Sequence, residues 1–316
     1  MSAWWNDFNW SWRGITVKET GANIRFNSNM ARDVMRGLPV VIAEKLRGKS
    51  TPDFTIAALP HAPRPWYLLW AAIKAGGGRL TPDLDDADAV VYFDDSTYSD
   101  PPVLLDQTKP TLNFGCTDIS KSHVATIFER IFGYALTVDP LTHKGPMVQK
   151  GEANGVHDGQ IVRGPIETPL AGAVYQRVVD NSDGDDVADL RCPTVGGTIP
   201  LVYIKRRPYA RRFDNMNATV TLSTPDAHFD ADERLKISQF CAAMGLDWGG
   251  LDILRDNESG KIFIVDVNKT DMGPPLALPL AHKLRSTRLM GAALADFIKG
   301  KTHSAEMAAP IVKEQT

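Results

Sequence analysis

The chain has 316 residues, a formal net charge of −3 and 43% hydrophobic residues. That length buries a substantial core and suits two or three domains. The slightly acidic balance argues against non-specific nucleic-acid binding, which needs surplus Lys and Arg. No segment approaches the ~20 consecutive apolar residues of a membrane span. Three scattered cysteines, Cys116, Cys192 and Cys241, give neither a disulfide framework nor a metal spacing, which fits a cytoplasmic protein.

The N-terminal stretch MSAWWNDFNWSWRG has no apolar signal core. It carries Trp4, Trp5, Trp10 and Trp12, four of the seven tryptophans. It reads as an arm that packs its rings over the core or over a second copy in a homo-oligomer. A membrane-surface anchor would need more basic residues than Arg13.

Residues 53–58 (DFTIAA), 86–95 (DADAVVYFDD) and 110–115 (PTLNFG) read as strands, with a helix over 66–75 (WYLLWAAIKA) closed by glycines 76–78. This rhythm predicts a small open α/β domain of βαβ type. The loop PHAPRPW (60–66) follows its first strand, so His61 and Arg64 are candidates for an anionic substrate group, or simply part of a proline-stiffened surface loop. From Thr117 the texture changes. Val124, Ile127, Phe128, Ile131 and Phe132 fall at helical spacing behind an N-cap at Asp118 or Ser120. Strand PMVQK (146–150), loop GEANGVHDG (151–159), strand AVYQRVV (173–179) and the hairpin 190–207 follow.

Two parts of this second region carry chemistry. Segment 250–268, GLDILRDNESGKIFIVDVN, reads as a hairpin whose last strand places Ile262, Ile264, Asp266 and Asn268 on one face. If the turn pairs Asp252 with an even-numbered partner, two carboxylates and an amide oxygen converge. Such close like charges call for a cation, and hard oxygen donors suit Mg²⁺; a solvated strand end is the alternative. Lys150 points into a loop whose Gly151, Gly155 and Gly159 allow backbone N–H groups to approach a polyphosphate. In the 190–207 hairpin, Gly196-Gly197 supply the positive φ of a two-residue turn. Pairing 195 with 198 puts Arg191 opposite Val202, on the face of Arg206, where the two could stabilise a transferring phosphoryl group.

The ordered set of Lys121 opening a helix, VQK with its glycine loop, YQRVV, DLRCPTVGG, IKRR, GLDWGGLDIL and IVDVN resembles the ATP-grasp superfamily over about residues 113–300. Its texture is that of the carboxylate–amine ligase branch, the glutathione synthetase and ribosomal-protein glutamate ligase type. The resemblance implies an α/β (α+β) ATP-grasp fold, with ATP held between two α+β subdomains behind a small open α/β domain. The expected division is 1–115 for the substrate-side domain, 116–180 for the central subdomain with a lid loop, 181–302 for the C-terminal subdomain with the metal site, and 303–316 for a flexible tail.

The same resemblance implies roles for particular residues. Lys121 and Lys150 contact the phosphates, and Gln176, Arg177, Val178 and Val179 form the hinge beside adenine. Asp189 meets the ribose, and Arg191 and Arg206 lie near the γ-phosphate and acyl phosphate. Asp252, Asp266 and Asn268 hold magnesium, two ions in the family pattern, with Mn²⁺ able to substitute. Asp266 stands where Glu is usual. In RRFDNMNATV (211–220) Asn215 fits the substrate-binding pattern, but the paired glycines that follow it in relatives are missing. The implied reaction is activation of a small-molecule carboxylate by Mg·ATP to an acyl phosphate, which an amine attacks. His157 in the lid is a further candidate phosphate contact. An ATP-grasp kinase and a non-catalytic nucleotide-binding module are the competing readings.

Overall fold

The computed structural model describes residues 8–12, 14–17, 23–25, 28–104, 108–155, 158–213 and 218–308. Three short strands, β1 (Phe8–Ser11), β2 (Gly14–Val17) and β3 (Asn23–Arg25), form an antiparallel sheet ahead of helix α1 (Ser28–Arg47). Trp10 and Trp12 are 56% and 82% exposed, so neither ring packs into the core; Trp4 and Trp5 lie outside the described residues.

The βαβ reading of the next region holds. Strands β4 (Phe54–Pro60), β5 (Gly78–Leu80), β6 (Ala89–Phe93) and β7 (Thr111–Leu112), with helix α2 (Leu68–Ala75) between β4 and β5, make a parallel sheet in the order β5-β4-β6-β7. The chain leaves β4 toward β5 on one side and meets β6 on the other. The crevice between the ends of β4 and β6 is therefore the switch point where such sheets collect ligands.

Helix α3 (Lys121–Phe132) is capped by Ser120, whose hydroxyl accepts the His123 N–H at 3.4 Å. It buries Val124, Ile127, Phe128 and Phe132. Strands β8 (Gly145–Gly151), β9 (Gln160–Gly164) and β10 (Ala173–Arg177) form a separate antiparallel sheet ordered β10-β8-β9. The largest sheet follows: β11 (Ser182–Asp183), β12 (Asp186–Val195), β13 (Val202–Pro208), β14 (Thr219–Ser223), β15 (Trp248–Arg255) and β16 (Ile262–Asn268). Its order is β14-β13-β12-β15-β16, with β11 beside β12. Helix α4 (Ala231–Met244) opens on a capping box between Asp230 and Glu233 and closes on Gly245 in the left-handed region.

One face of the large sheet packs against α3 and α4 through Cys192, Leu251, Ile253, Ile264, Phe128 and Phe240. Phe128 also meets the ring of Phe263 on β16, with Tyr134 edge-on to both and its hydroxyl on the Ile262 carbonyl at 2.7 Å. This aromatic cluster fixes α3 beside β16. The three cysteines are buried free thiols; burial pushes Cys116 and Cys241 up to about 12.

Helix α5 (Leu280–Ala308) continues past Lys301, beyond the start expected for a flexible tail. It returns to the N-terminal domain, where Met290, Leu294 and Ile298 share a core with Leu69, Ile73 and Val91. Helix α2 (LLWAAIKA) is apolar almost all round because sheet and α5 cover opposite sides of it. At their crossing, a Cβ on Gly291 would lie 2.5 Å from the Gly76 nitrogen and 2.8 Å from the Ala72 carbonyl oxygen. Gly291→Ala is therefore expected to destabilise the fold by about 1–3 kcal/mol through overpacking. Gly300→Ala, whose Cβ would meet nothing within 4 Å, should be neutral or gain up to about 1 kcal/mol from helix propensity. Urea denaturation of the two variants checks the contrast.

Candidate functional site

The site is built on a row of charged residues across adjacent strands of the large sheet. Directly opposed residues in an antiparallel ladder project to the same face. Asp266 on β16 opposes Asp252 on β15, and Asp252 opposes Arg191 on β12. Asn268 opposes Gly250 one step along. Asp252 thus has an even-numbered partner and joins Asp266 and Asn268 on one face, the outcome that the hairpin reading made conditional on that pairing.

Ile262 and Ile264 do not share that face. The register shifts between Asp252 and Ile253, which pairs with Ile264, so Val265 is an extra residue on β16. This bulge reverses the alternation, sending Ile264 to the α3/α4 core and Asp266 to the other side. Val265 itself has no partner in the register. The Lys150 ammonium, from the end of β8, donates to the Val265 carbonyl at 3.0 Å.

Each acid of the row has a cationic partner. Lys121, the first residue of α3, forms an ion pair with Asp266. Arg191, only 6% exposed, donates through Nη1 to Asp252 at 2.9 Å. Through Nε and Nη2 it donates to one oxygen of Asp271 at 3.2 and 2.7 Å. Burial opposes the charge on Arg191, but Asp252 and Asp271 hold it protonated. Burial also pulls the Asp252 carboxyl up, yet Arg191 and Lys205 keep it below the usual carboxylate range. Burial drives Lys150 down to about 8, with Asp266 opposing the shift and Lys121 adding to it.

Asp271 was not singled out from the sequence. Its signal was slight: an acid three residues past Asn268, in a stretch that already reads as loop.

Arg206 is not in this group. The Gly196-Gly197 turn forms as expected, with φ of 56° and 77° and reciprocal 2.9 Å bonds between Val195 and Thr198. Residues 199–201, which include Pro200, then leave the ladder, and pairing resumes with Arg191 opposite Tyr203. The one-residue offset puts Lys205 and Arg207 on the face of Arg191 and turns Arg206 away, onto Asp183 at 2.7 Å. Lys205 Nζ lies 3.8 Å from Asp252 Oδ1.

The hinge candidates lie where β10 runs into the large sheet. Gln176 is 3% exposed, shares a face with Lys150, and its Nε2 has no hydrogen-bond partner. Arg177 turns its guanidinium over the Phe263 ring, 5.3 Å from the centroid. The Val179 carbonyl accepts from Arg212 at 3.0 Å. Asp189 is tied by an ion pair to Arg207 and by a 2.8 Å bond from Asn181. Burial raises its carboxyl, with Arg207 opposing. Asn215 and His157 lie outside the described residues.

The loop after β8 reaches across the site. The Glu152 carboxylate accepts the Ser122 N–H at 3.0 Å in the first turn of α3, and the Asn154 N–H donates to Thr97 of the N-terminal domain at 2.8 Å.

Among the described residues, no group of three or more His, Cys, Asp or Glu is placed to hold a metal ion. The candidate donors are instead two carboxylates, Asp252 and Asp266, and the Asn268 amide oxygen, which here accepts the Thr270 N–H at 2.8 Å. Asp252 Oδ1 is buried without a hydrogen-bond partner, which leaves an acceptor for a hard cation. These donors fit Mg²⁺, which commonly takes one or two carboxylates and completes its shell with water and phosphate oxygens.

Solved structures that superpose on this chain include ATP-grasp ligases. The ligase PsnB in complex with a minimal precursor superposes with a TM-score of 0.51 and 11% identity, over 79% of this chain and 100% of that one. PsnB with a phosphomimetic variant of the minimal precursor, Mg and ADP gives 0.51 and 11%, over 80% and 100%. PsnB with the precursor peptide PsnA2 and AMPPNP gives 0.50 and 11%, over 80% and 99%. No family model and no curated protein matches the sequence. The chain has the ATP-grasp fold, a mixed α/β architecture.

Removing the Asp266 charge should lower Lys150 further. ¹³Cε NMR titration is expected to show the Lys150 midpoint near 8 falling in Asp266→Asn, since the carboxylate favours the charged amine. An unchanged midpoint would mean that the two groups do not interact.

Proposed function

We propose that the protein is an ATP-dependent ligase that activates a carboxylate as an acyl phosphate and couples it to an amine. The supporting observation is the convergence of Asp266, Asp252 and Arg191 on one sheet face with Lys121 and Lys150 brought to it from α3 and β8. In this reading Lys121 and Lys150 hold the phosphates. Gln176 and the backbone of 177–179 meet the adenine, and Asp189 lies on the ribose side. Asp252, Asp266 and Asn268 hold magnesium, which when bound neutralises phosphate charge and orients the γ-phosphate.

The acceptor carboxylate attacks the γ-phosphorus and the bond to the β-phosphate oxygen breaks, releasing ADP. The amine then attacks the acyl carbon, phosphate leaves, and the nitrogen loses a proton. No protein nucleophile is required. Arg191, with Lys205 beside it in place of Arg206, stabilises the charge developing on the transferring group. Residues 151–155, which reach α3 and the N-terminal domain through Glu152 and Asn154, would keep water from the acyl phosphate.

The acceptor enters from the N-terminal domain, at the crevice beside loop 60–66. One PsnB complex holds the precursor peptide PsnA2, so a peptide carboxylate stands beside a small-molecule acid as a candidate. A cytoplasmic setting fits the ATP requirement and the three free buried thiols. No described helix is long and apolar enough to cross a membrane.

Phosphate and ADP release should require Mg²⁺, an acid or acidic peptide, and an amine together. Turnover with the acid alone, yielding a stable phosphorylated product, would identify a kinase. Nucleotide binding without turnover in any pool of acids, peptides and amines would identify a binding module. Arg191→Ala is expected to lower kcat by about 10²–10³, as for loss of one preorganised transition-state donor. Arg206→Ala should stay within about threefold of wild type, the scale of an exposed ion pair worth under 1 kcal/mol.

A further inference from the structure

Arg191 is buried between two acids that differ in kind. Asp252 belongs to the row that the proposed function gives to the metal. Asp271 lies past the end of β16 and is 4% exposed. One of its oxygens takes both Nε and Nη2 of Arg191, while Asp252 takes only Nη1. Gly250 makes room for this arrangement: a Cβ there would lie 2.5 Å from Asp271 Oδ2 and 2.9 Å from Arg191 Nε.

The backbone of Asp271 faces the other way. Its carbonyl accepts the N–H of Leu68, the first residue of α2, at 2.9 Å. Met272 bridges to Tyr67, and the Gly273 N–H donates to the Trp66 carbonyl at 3.1 Å. Residues 271–273 therefore lie as a strap along 66–68, directly after loop 60–66. One residue holds the arginine of the charged row by its side chain and the exit of that loop by its backbone.

We propose that Asp271 is a positioning residue that fixes the guanidinium of Arg191 and couples its orientation to the loop ending at Trp66. The proposal rests on the ligase reading for what Arg191 then does. When Asp252 turns to a cation, a buried arginine with no second partner would be left as an uncompensated charge, at a cost of several kcal/mol. Asp271 supplies a permanent counter-charge. It also pins the Nε/Nη2 edge, so that Nη1 alone exchanges from Asp252 to a phosphate oxygen. A shift of loop 60–66 on acceptor binding reaches Arg191 through the strap.

The test uses the full chain with two spectroscopic signals. The Arg191 Nε–Hε resonance, assigned by its loss in Arg191→Lys, should exchange slowly with water in wild type and at least tenfold faster in Asp271→Asn. The Trp66 signal of 5-fluorotryptophan-labelled protein, assigned by Trp66→Phe, should move on addition of Mg·AMPPNP in wild type and stay still in Asp271→Asn at saturating nucleotide. Gly250→Ala, whose Cβ would press on both the Asp271 carboxylate and the Arg191 guanidinium and so part the pair, should reproduce both signatures and serves if Asp271→Asn fails to fold. Unchanged Hε exchange, or a Trp66 response that survives either substitution, would overturn the proposal. If wild type binds no nucleotide, the ligase reading fails, and the Hε exchange alone decides whether Asp271 positions Arg191.

Discussion

The site depends on a buried arginine set among carboxylates. Arg191 carries a charge into a place that water hardly reaches, and Asp252 and Asp271 make that tolerable. Buried ion pairs are weak devices for stability, because desolvation consumes most of the Coulombic gain. Their use is in orientation. A guanidinium held at three nitrogens presents a fixed edge, and fixed donors need no reorganisation when charge develops nearby. The lysines act alike: Lys121 neutralises Asp266, and Lys150 docks on the carbonyl of the bulged Val265.

Three separate bodies of the chain must agree for this arrangement to form. The large sheet supplies the row, α3 and β8 bring the lysines, and the N-terminal domain locks the strap after β16. The aromatic cluster of Phe128, Tyr134 and Phe263 sets where α3 starts, so packing well away from the charges decides whether Lys121 reaches Asp266. A second network runs alongside. Arg212 joins the Val179 carbonyl to Asn181, Asn181 joins Asp189, and Arg207 joins Asp189 back to the Arg212 carbonyl. It ties the hinge candidates to the segment leading into 214–217.

Much of this was legible in the residues. Period-2 and period-3.6 patterns located β4, α2, β6, α3, β8, β10, β12, β13, β15 and β16 near their observed places, and the pairing of Asp252 with Asp266 is one of the even-numbered options that the hairpin left open. What failed was the consequence of single irregular residues. The hairpin turn at Gly196-Gly197 was correctly expected, but strand pairing does not resume straight after it. That slip exchanged Arg206 for Lys205 and Arg207. The bulge at Val265 likewise separated Ile264 from Asp266. The bulge carries no composition signal, because any residue can occupy it, whereas Pro200, which cannot donate to a ladder, marked the slip. Asp271 and α5 were missed for another reason: their partners, Arg191 and α2, lie 80 and more than 200 residues away, and no local pattern announces them.

The return of α5 to α2 has a consequence for how the protein is made. Chains emerge from the ribosome N-terminal end first, and domains tend to fold as they appear. Here α2 is complete by residue 75, while the helix that covers its second apolar side begins at residue 280. For most of synthesis the first domain therefore has its sheet, α1 and α2, but lacks the α5 residues that share a core with Trp70, Leu69 and Ile73. The N-terminal core is therefore completed only when α5 arrives, after every strand of the charged row has been made.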